Sequence, residues 1–163
     1  GAPYYDAVII DLPDPSHPDL NKLYSSFFYS RIRNILSADG AIGIQSTSPY
    51  HAKEAFQSIG KTLADAGFLV DQYHANVPSF GEWGWTIGTL TGASGLTRIE
   101  RTESIILDNH LLSKSEILAS FIFPSNFYDN IENVKINHLG DHTIFQYHQR
   151  AWQQYQGTFY VNE

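Results

Sequence analysis

The sequence predicts an α/β fold: an open, doubly wound sheet with a small α+β extension at its carboxyl end. Three observations carry that expectation. Ala7-Val8-Ile9-Ile10 is a continuous apolar, β-branched run ending at Asp11, which reads as a strand buried on both faces. A second run of this kind, Ala41 to Gln45, follows a stretch whose apolar residues recur at helical spacing. Strands and helices then alternate across short joins, an order that implies right-handed crossovers.

After the first strand, Asp11 to Pro18 holds three prolines and is a loop. Tyr24, Phe28, Ile32, Ile35 and Leu36 predict a helix from about Leu23 to Leu36, capped by Ser25 or Ser26. Ala38-Asp39-Gly40 is expected to close it, glycine supplying a left-handed stop. Ser48-Pro49 predicts a second helix start, continuing through Ala52, Ala55, Phe56, Ile59 and Leu63 to Gly67. Phe68 to Ala75 and Trp83 to Leu90, separated by the loop Asn76 to Glu82, read as an antiparallel hairpin at one edge of the sheet. Thr91 to Arg101 lacks apolar periodicity and marks a boundary, so 1–90 forms one unit and 91–163 a linker and extension. Within the extension, Ser113-Lys114-Ser115-Glu116 is a capping box opening a short helix through Ile117, Leu118 and Phe121, ended by Pro124. Val134 to His138 and Thr143 to Tyr147, joined by Leu139-Gly140-Asp141-His142, read as a β-hairpin, followed by an aromatic and polar tail from Arg150.

The composition is ordinary for one globular domain: 163 residues, 42% hydrophobic, 14% aromatic and 17% charged. Ten basic residues against seventeen acidic ones give a net charge of −7. That balance disfavours nucleic-acid phosphates and anionic membrane surfaces and suits a cationic ligand. With no cysteine, disulfides and thiolate metal sites are excluded. No apolar run approaches the roughly 20 residues of a membrane span. Seven histidines show no metal-ligand spacing, so no metal is expected. His138, His142 and His148 read as surface residues around the hairpin, while His17 and His74 lie near the candidate site. The chain opens Gly1-Ala2-Pro3 and holds no methionine, which reads as a piece of a longer protein.

The chemistry centres on Asp11-Leu12-Pro13-Asp14-Pro15. Ligands of doubly wound sheets bind beyond the carboxyl ends of the strands, where Asp11 sits. Each proline fixes φ near −65°, which helps to hold the two carboxylates in a set relation. Two acids in different environments divide labour, one as base and one as charge partner. The same residues also suit a proline-rich turn in which the aspartates only cap, and the five residues alone leave both readings open.

The wider pattern resembles the polyamine aminopropyltransferases, the spermidine synthase family. It is carried by the strand with Asp11-x-x-Asp14-Pro15, by Leu23-Tyr24-Ser25-Ser26-Phe27-Phe28-Tyr29, by Gln45-Ser46-Thr47-Ser48-Pro49, and by Val77-Pro78-Ser79-Phe80-Gly81-Glu82-Trp83-Gly84. These versions are most similar to a longer, membrane-anchored branch of the family. The resemblance covers roughly residues 4 to 90 and, more loosely, 113 to 152. It implies the carboxyl-terminal half of a Rossmann-like, methyltransferase-type domain. It also implies transfer of an aminopropyl group from decarboxylated S-adenosylmethionine to a diamine such as putrescine, without a metal. Asp11 would be the base and amine anchor, Asp14 would hold the amine or orient the site, and Gln45 would hydrogen-bond the substrate directly or through water. Phe80, Glu82 and Trp83 would line or gate the substrate site.

Three departures stand out. Leu12-Pro13 replaces a pair of small hydroxyl residues, Phe80 stands where a tyrosine is frequent, and the Gly-rich turn that binds the adenosyl group lies upstream of this half of the fold. The isolated chain is therefore expected to be inactive. The resemblance further implies a cytoplasmic location, at the inner face of a membrane if an anchor precedes the chain. A half-sheet with an uncovered edge and face predicts a homodimer. Two rival readings are a methyltransferase using intact S-adenosylmethionine and a non-catalytic polyamine-binding or assembly domain.

Overall fold

The computed structural model of the chain describes residues 4–104 and 112–159. Four strands, β1 (Tyr5–Ile10), β2 (Leu36–Gln45), β3 (Leu69–Val77) and β4 (Gly81–Thr89), form a sheet in the order β1-β2-β4-β3. β1 and β2 run parallel. The crossover between them consists of a 3-10 helix, Pro18–Tyr24, and α1, Ser26–Arg33. β3 and β4 form the expected antiparallel hairpin, with β4 beside β2 and β3 at the edge. No helix among the described residues is long and apolar enough to cross a membrane.

Period-two alternation sorts the strands into two unlike faces. Val8, Ile10, Ile42, Ile44 and Thr86 face α2 (Lys53–Asp65), where Ile42, Ile59 and Leu63 are fully buried. Ile9, Gly43, Gln45, Trp85 and Tyr73 occupy the other face. Among the described residues that face is covered beside β3 and β4, where Gly95 packs on Ile87 and the Phe121 ring meets Tyr73 at 5.2 Å, but not along β1, where Ile9 is 79% exposed. The first strand is thus buried on one face rather than two. An apolar run alone does not separate the cases, because the uncovered side of a sheet and the covered side draw on the same residues.

The first helix is shorter than its apolar spacing suggests. Ser25 caps α1, its Oγ accepting from the Phe28 amide at 3.2 Å, and the helix ends at Arg33. Leu36 to Gly40 belongs to β2, so Gly40 is no helix stop. It is a buried strand glycine whose Cβ would lie 2.7 Å from the Leu36 side chain. Ser48-Pro49 opens a turn rather than α2, Ser48 Oγ accepting from the His51 amide at 3.3 Å. α2 itself starts at Lys53 and ends ahead of Gly67, which does adopt the left-handed conformation at φ +91°.

The segment expected as a boundary packs on the sheet as α3 (Gly95–Arg101), capped by Ser94. The Leu96 amide donates to Asp71 Oδ2 at 2.8 Å, and Arg98 donates to the Asp39 and Thr91 carbonyls. α4 (Lys114–Ala119) carries the capping box, both of its bonds present, although it stops before Phe121.

The predicted hairpin does not form. Residues 143–159 are α5 (Thr143–Phe159), so the extension is helical rather than α+β among the described residues. Residues 134–138 spend their backbone groups on side chains and on neighbouring turns and the start of α1 instead of a partner strand. Ser58 Oγ donates to the Lys135 carbonyl at 2.7 Å, the Lys135 amide donates to Tyr147 Oη at 3.1 Å, and the Asn137 amide donates to Thr62 Oγ1 at 3.0 Å. α5 lies against α2 and the 3-10 helix, adding Ile144 and Tyr147 to the main core. Its position decides what surrounds the candidate site.

Candidate active site

Asp11 follows the last residue of β1, and Gln45 is the last residue of the neighbouring strand β2. Parallel pairing with Ile10 opposite Ile44 brings the two strand ends level. Here, at the carboxyl end of the parallel pair, a doubly wound sheet places its ligands. The loop that follows is pinned from below: buried Tyr24 donates its hydroxyl to the Pro13 carbonyl at 2.8 Å. Burial, with the charges of Asp14 and Asp11, pushes the Tyr24 phenol well above its ordinary value, so the hydroxyl stays a donor.

Asp14 is the most heavily bonded acid of the site. Gln45 Nε2 donates to its Oδ1 at 2.9 Å, and Thr47 Oγ1 donates to its Oδ2 at 3.3 Å. His148 Nε2, from α5, lies 3.2 Å from the same Oδ2. Burial pushes the Asp14 carboxyl up. The hydrogen bonds from His148, Gln45 and Thr47, with the charge of His148, outweigh it and hold the carboxyl below its ordinary value. Asp14 is therefore a fixed anion. Asp11, more exposed, accepts no side-chain hydrogen bond from the described residues.

Two clefts flank the Gln45–Asp14 pair. One, of about 570 Å³, lies on the face opposite α2 and is lined by Asp11, Gln45, Tyr73, Phe80, Trp83 and Trp85 together with aliphatic residues. The Tyr73 and Trp85 rings stack at 5.6 Å, and Phe80 meets Trp83 at 5.4 Å. The other, of about 680 Å³, is bordered by Asp14, His17, Phe145, His148 and Trp152. With Nε2 committed to Asp14, the Gln45 amide keeps Oε1 buried and without a partner among the described residues. A buried acceptor in that state favours a ligand that donates.

The sequence-predicted residues fall into two groups. Asp11, Gln45, Phe80 and Trp83 share the first cleft, and Asp14 is tied to them through Gln45. Glu82 is not among them. Alternation along β4 turns it to the opposite face, where its Oε2 lies 2.6 Å from His74 Nδ1 while His74 Nε2 contacts the Ile122 carbonyl at 2.8 Å. That pair braces the hairpin against the segment after α4, so His74 also stands apart from the clefts. His17 borders the second cleft and caps the 3-10 helix, Nδ1 accepting from the Asp19 amide at 3.2 Å.

His148, expected at the surface, is buried against Asp14. The assignment of its segment to a strand hid it, yet Ile144, His148 and Ala151 recur at helical spacing. Trp85 and Tyr73 were also missed; Trp85 shares the face of Trp83 by period two. Among the described residues no group of three or more His, Cys, Asp or Glu side chains could hold a metal ion.

Known proteins similar to this chain fall in one family. A family model described as the spermine/spermidine synthase domain matches residues 2–100. A polyamine aminopropyltransferase of Shewanella oneidensis is 53% identical over 153 residues, covering 94% of this chain and 27% of that protein. One from Oceanobacillus iheyensis is 33% identical over 154 residues, covering 93% of this chain and 29% of its own length. The chain thus spans under a third of these relatives. Among solved structures, spermidine synthase from Thermotoga maritima superposes with a TM-score of 0.60 at 17% identity, covering 80% of this chain and 44% of that one. A spermidine synthase in complex with the transition-state analogue AdoDATO gives 0.58 at 15% identity, covering 80% and 43%. These two likenesses establish the fold, α/β and methyltransferase-like. With the family model covering more than half of its residues, the chain belongs to the spermine/spermidine synthase family.

Proposed function

We propose that this chain supplies the amine-binding and proton-accepting side of an aminopropyltransferase site. The observation that carries the reading is the state of Gln45: one end of its amide is fixed on the Asp14 carboxylate, and the other is a buried acceptor without a partner among the described residues, beside Asp11. An alkylammonium brings three N–H donors and a positive charge to that arrangement. The aromatic walls of the first cleft suit the methylene chain of a diamine and its charge alike.

An alkylammonium has an ordinary pKa of about 10 and no lone pair at neutral pH. Asp11, free of other hydrogen bonds, is the group that takes a proton from it. The freed nitrogen lone pair attacks the propyl carbon next to the sulfonium of decarboxylated S-adenosylmethionine. The carbon–sulfur bond breaks, its electron pair stays on sulfur, and methylthioadenosine leaves. Asp14 and Gln45 hold the amine during the approach, while Phe80 and Trp83 exclude water from it. In this reading the donor's adenosyl group is held by residues outside this chain, and the isolated chain is inactive.

The test uses the full-length protein with putrescine and decarboxylated S-adenosylmethionine, following methylthioadenosine by mass spectrometry. Product is expected, and Asp11→Asn should lower its rate by about 10²- to 10⁴-fold, the usual contribution of a positioned base. Consumption of intact S-adenosylmethionine with transfer of its methyl group would replace this reading with a methyltransferase. Putrescine binding without product would reduce the site to a binding function.

A further inference from the structure

His148 and Trp152 stand four residues apart on α5 and so project from one helix face. Both are directed at a single point. His148 Nε2 lies 3.2 Å from Asp14 Oδ2 and 2.9 Å from Trp152 Nε1. An imidazole nitrogen has one in-plane position, which holds either a proton or a lone pair, and an indole N–H only donates. The bare nitrogen therefore accepts from Trp152, and the protonated nitrogen donates to Asp14. The two bonds exclude each other.

The consequence falls on Asp14. With a proton on Nε2, its carboxylate accepts from three side chains, Gln45, Thr47 and His148. In the neutral ring the Trp152 N–H favours the tautomer with the proton on Nδ1, and Oδ2 then faces a lone pair at 3.2 Å and lacks a donor on that side. A cationic N–H supplies what the oxygen then lacks, and the cleft of about 680 Å³ beside it offers a route in.

We propose that His148 is a positioning residue for Asp14, and that a proton on its Nε2 and the ammonium of a bound amine exclude each other at that carboxylate. The inference rests on the amine-binding reading of Asp14. Other ionisable groups around the pair come from every neighbouring element. Tyr24 and Asp11 lie on the loop side, His17 borders the second cleft, and His51 stacks on Trp152 at 6.1 Å from the turn before α2. Tyr155 meets His51 edge-on, and Arg150 pairs with Glu54 at 3.4 Å. Of these residue types, histidine is the one that ordinarily changes charge between about pH 5 and 8. His17 and His51 act on Asp14 only through space, whereas His148 shares a hydrogen-bonding position with it.

The experiment measures putrescine binding to the full-length protein by calorimetry across about pH 5 to 8, without the donor, for the wild type, His148→Gln and His148→Asn. Neither replacement titrates. Wild-type affinity should fall as the pH falls, approaching a tenfold loss per pH unit, and binding should release a proton. Both variants should lose most of that dependence. A second measurement needs no variant: the Trp152 indole N–H resonance in the free protein should move in step with the His148 titration. Binding whose pH dependence is the same in wild type and variants, or a Trp152 resonance that ignores His148, overturns the proposal alone. Failure of putrescine to bind any of the three folded proteins overturns the amine reading, and this inference with it.

Discussion

Thr47 is β-branched and sits at φ +60°, a conformation that costs such a residue about 1–3 kcal/mol. It is held there from both sides: the Ser46 amide donates to the Gly84 carbonyl, and the Gly84 amide donates back to the Thr47 carbonyl, each at 2.8 Å. Gly84 has no freedom to yield, since a Cβ at that position would collide with the Phe56 ring. The strained turn aims Thr47 Oγ1 at Asp14 Oδ2. A single residue thus stores backbone strain and spends it on the charge of the site. At an ordinary position glycine is less stable than alanine by roughly 0.5–1 kcal/mol, because it loses more freedom on folding. At Thr47 the order should reverse. Both Thr47→Ala and Thr47→Gly lose the hydroxyl, but only the glycine relieves the backbone, so urea unfolding should find Thr47→Gly more stable than Thr47→Ala by about 1 kcal/mol. Alanine proving the more stable of the two would mean that the turn is not strained.

α5 is anchored by a buried pair of asparagines from two distant segments. Asn21 Nδ2 donates to Asn137 Oδ1 at 2.9 Å, and Asn137 Nδ2 donates to the Asn21 and Tyr24 carbonyls at 3.0 and 3.1 Å. Asn21 also donates to the Asp141 carbonyl, and its Oδ1 accepts from the Phe145 amide at 3.2 Å, satisfying a donor in the first turn of α5. Asn137→Ala removes three of these bonds and leaves Asn21 buried with part of its amide unpaired. Stability should drop by about 2–3 kcal/mol in chemical denaturation. A loss under about 0.5 kcal/mol, the usual effect of a surface change, would show that water replaces the missing partner. The same network explains what the sequence left hidden. The capping box at Ser113, the β3–β4 hairpin and the group Asp11, Asp14 and Gln45 were legible because strand ends and helix caps are written in neighbouring residues. α5 was not: four of its first five residues are β-branched or aromatic, and Gly140-Asp141 ahead of them mimics a hairpin turn. The partners that hold it, Asn21 for its first turn and Asp14 for His148, are more than a hundred positions away. Glu82 failed for a different reason. Its neighbours Phe80 and Trp83 line the cleft, but one step of strand alternation sends its side chain to the other face.

For the molecule as a whole, the unequal faces of the sheet matter most. α2, backed by α5, buries one face, while the other, covered by α3 and Phe121 beside β3 and β4, presents Ile9, 79% exposed, and Phe80, 66% exposed, beside the cleft aromatics. β1 pairs with β2 alone, so its outer edge also carries unpaired backbone groups among the described residues. An apolar face next to an open edge favours association. The net charge of −7 opposes it over long range, but salt screens that repulsion beyond about 8 Å at physiological ionic strength while leaving apolar contact intact. The chain should therefore self-associate in light scattering, and more strongly as salt is raised. Ile9→Lys puts a charge on the exposed part of the face, at the edge strand β1, without disturbing the core and should shift the species toward monomer. A wild-type chain that stays monomeric at high concentration and high salt would show that the face is not adhesive. Because Ile9 and Asp11 line the same cleft, association across this face would also close the cleft to an amine. Putrescine should then weaken the association of the wild type, which ties the behaviour of the whole molecule back to the charge at the end of β1.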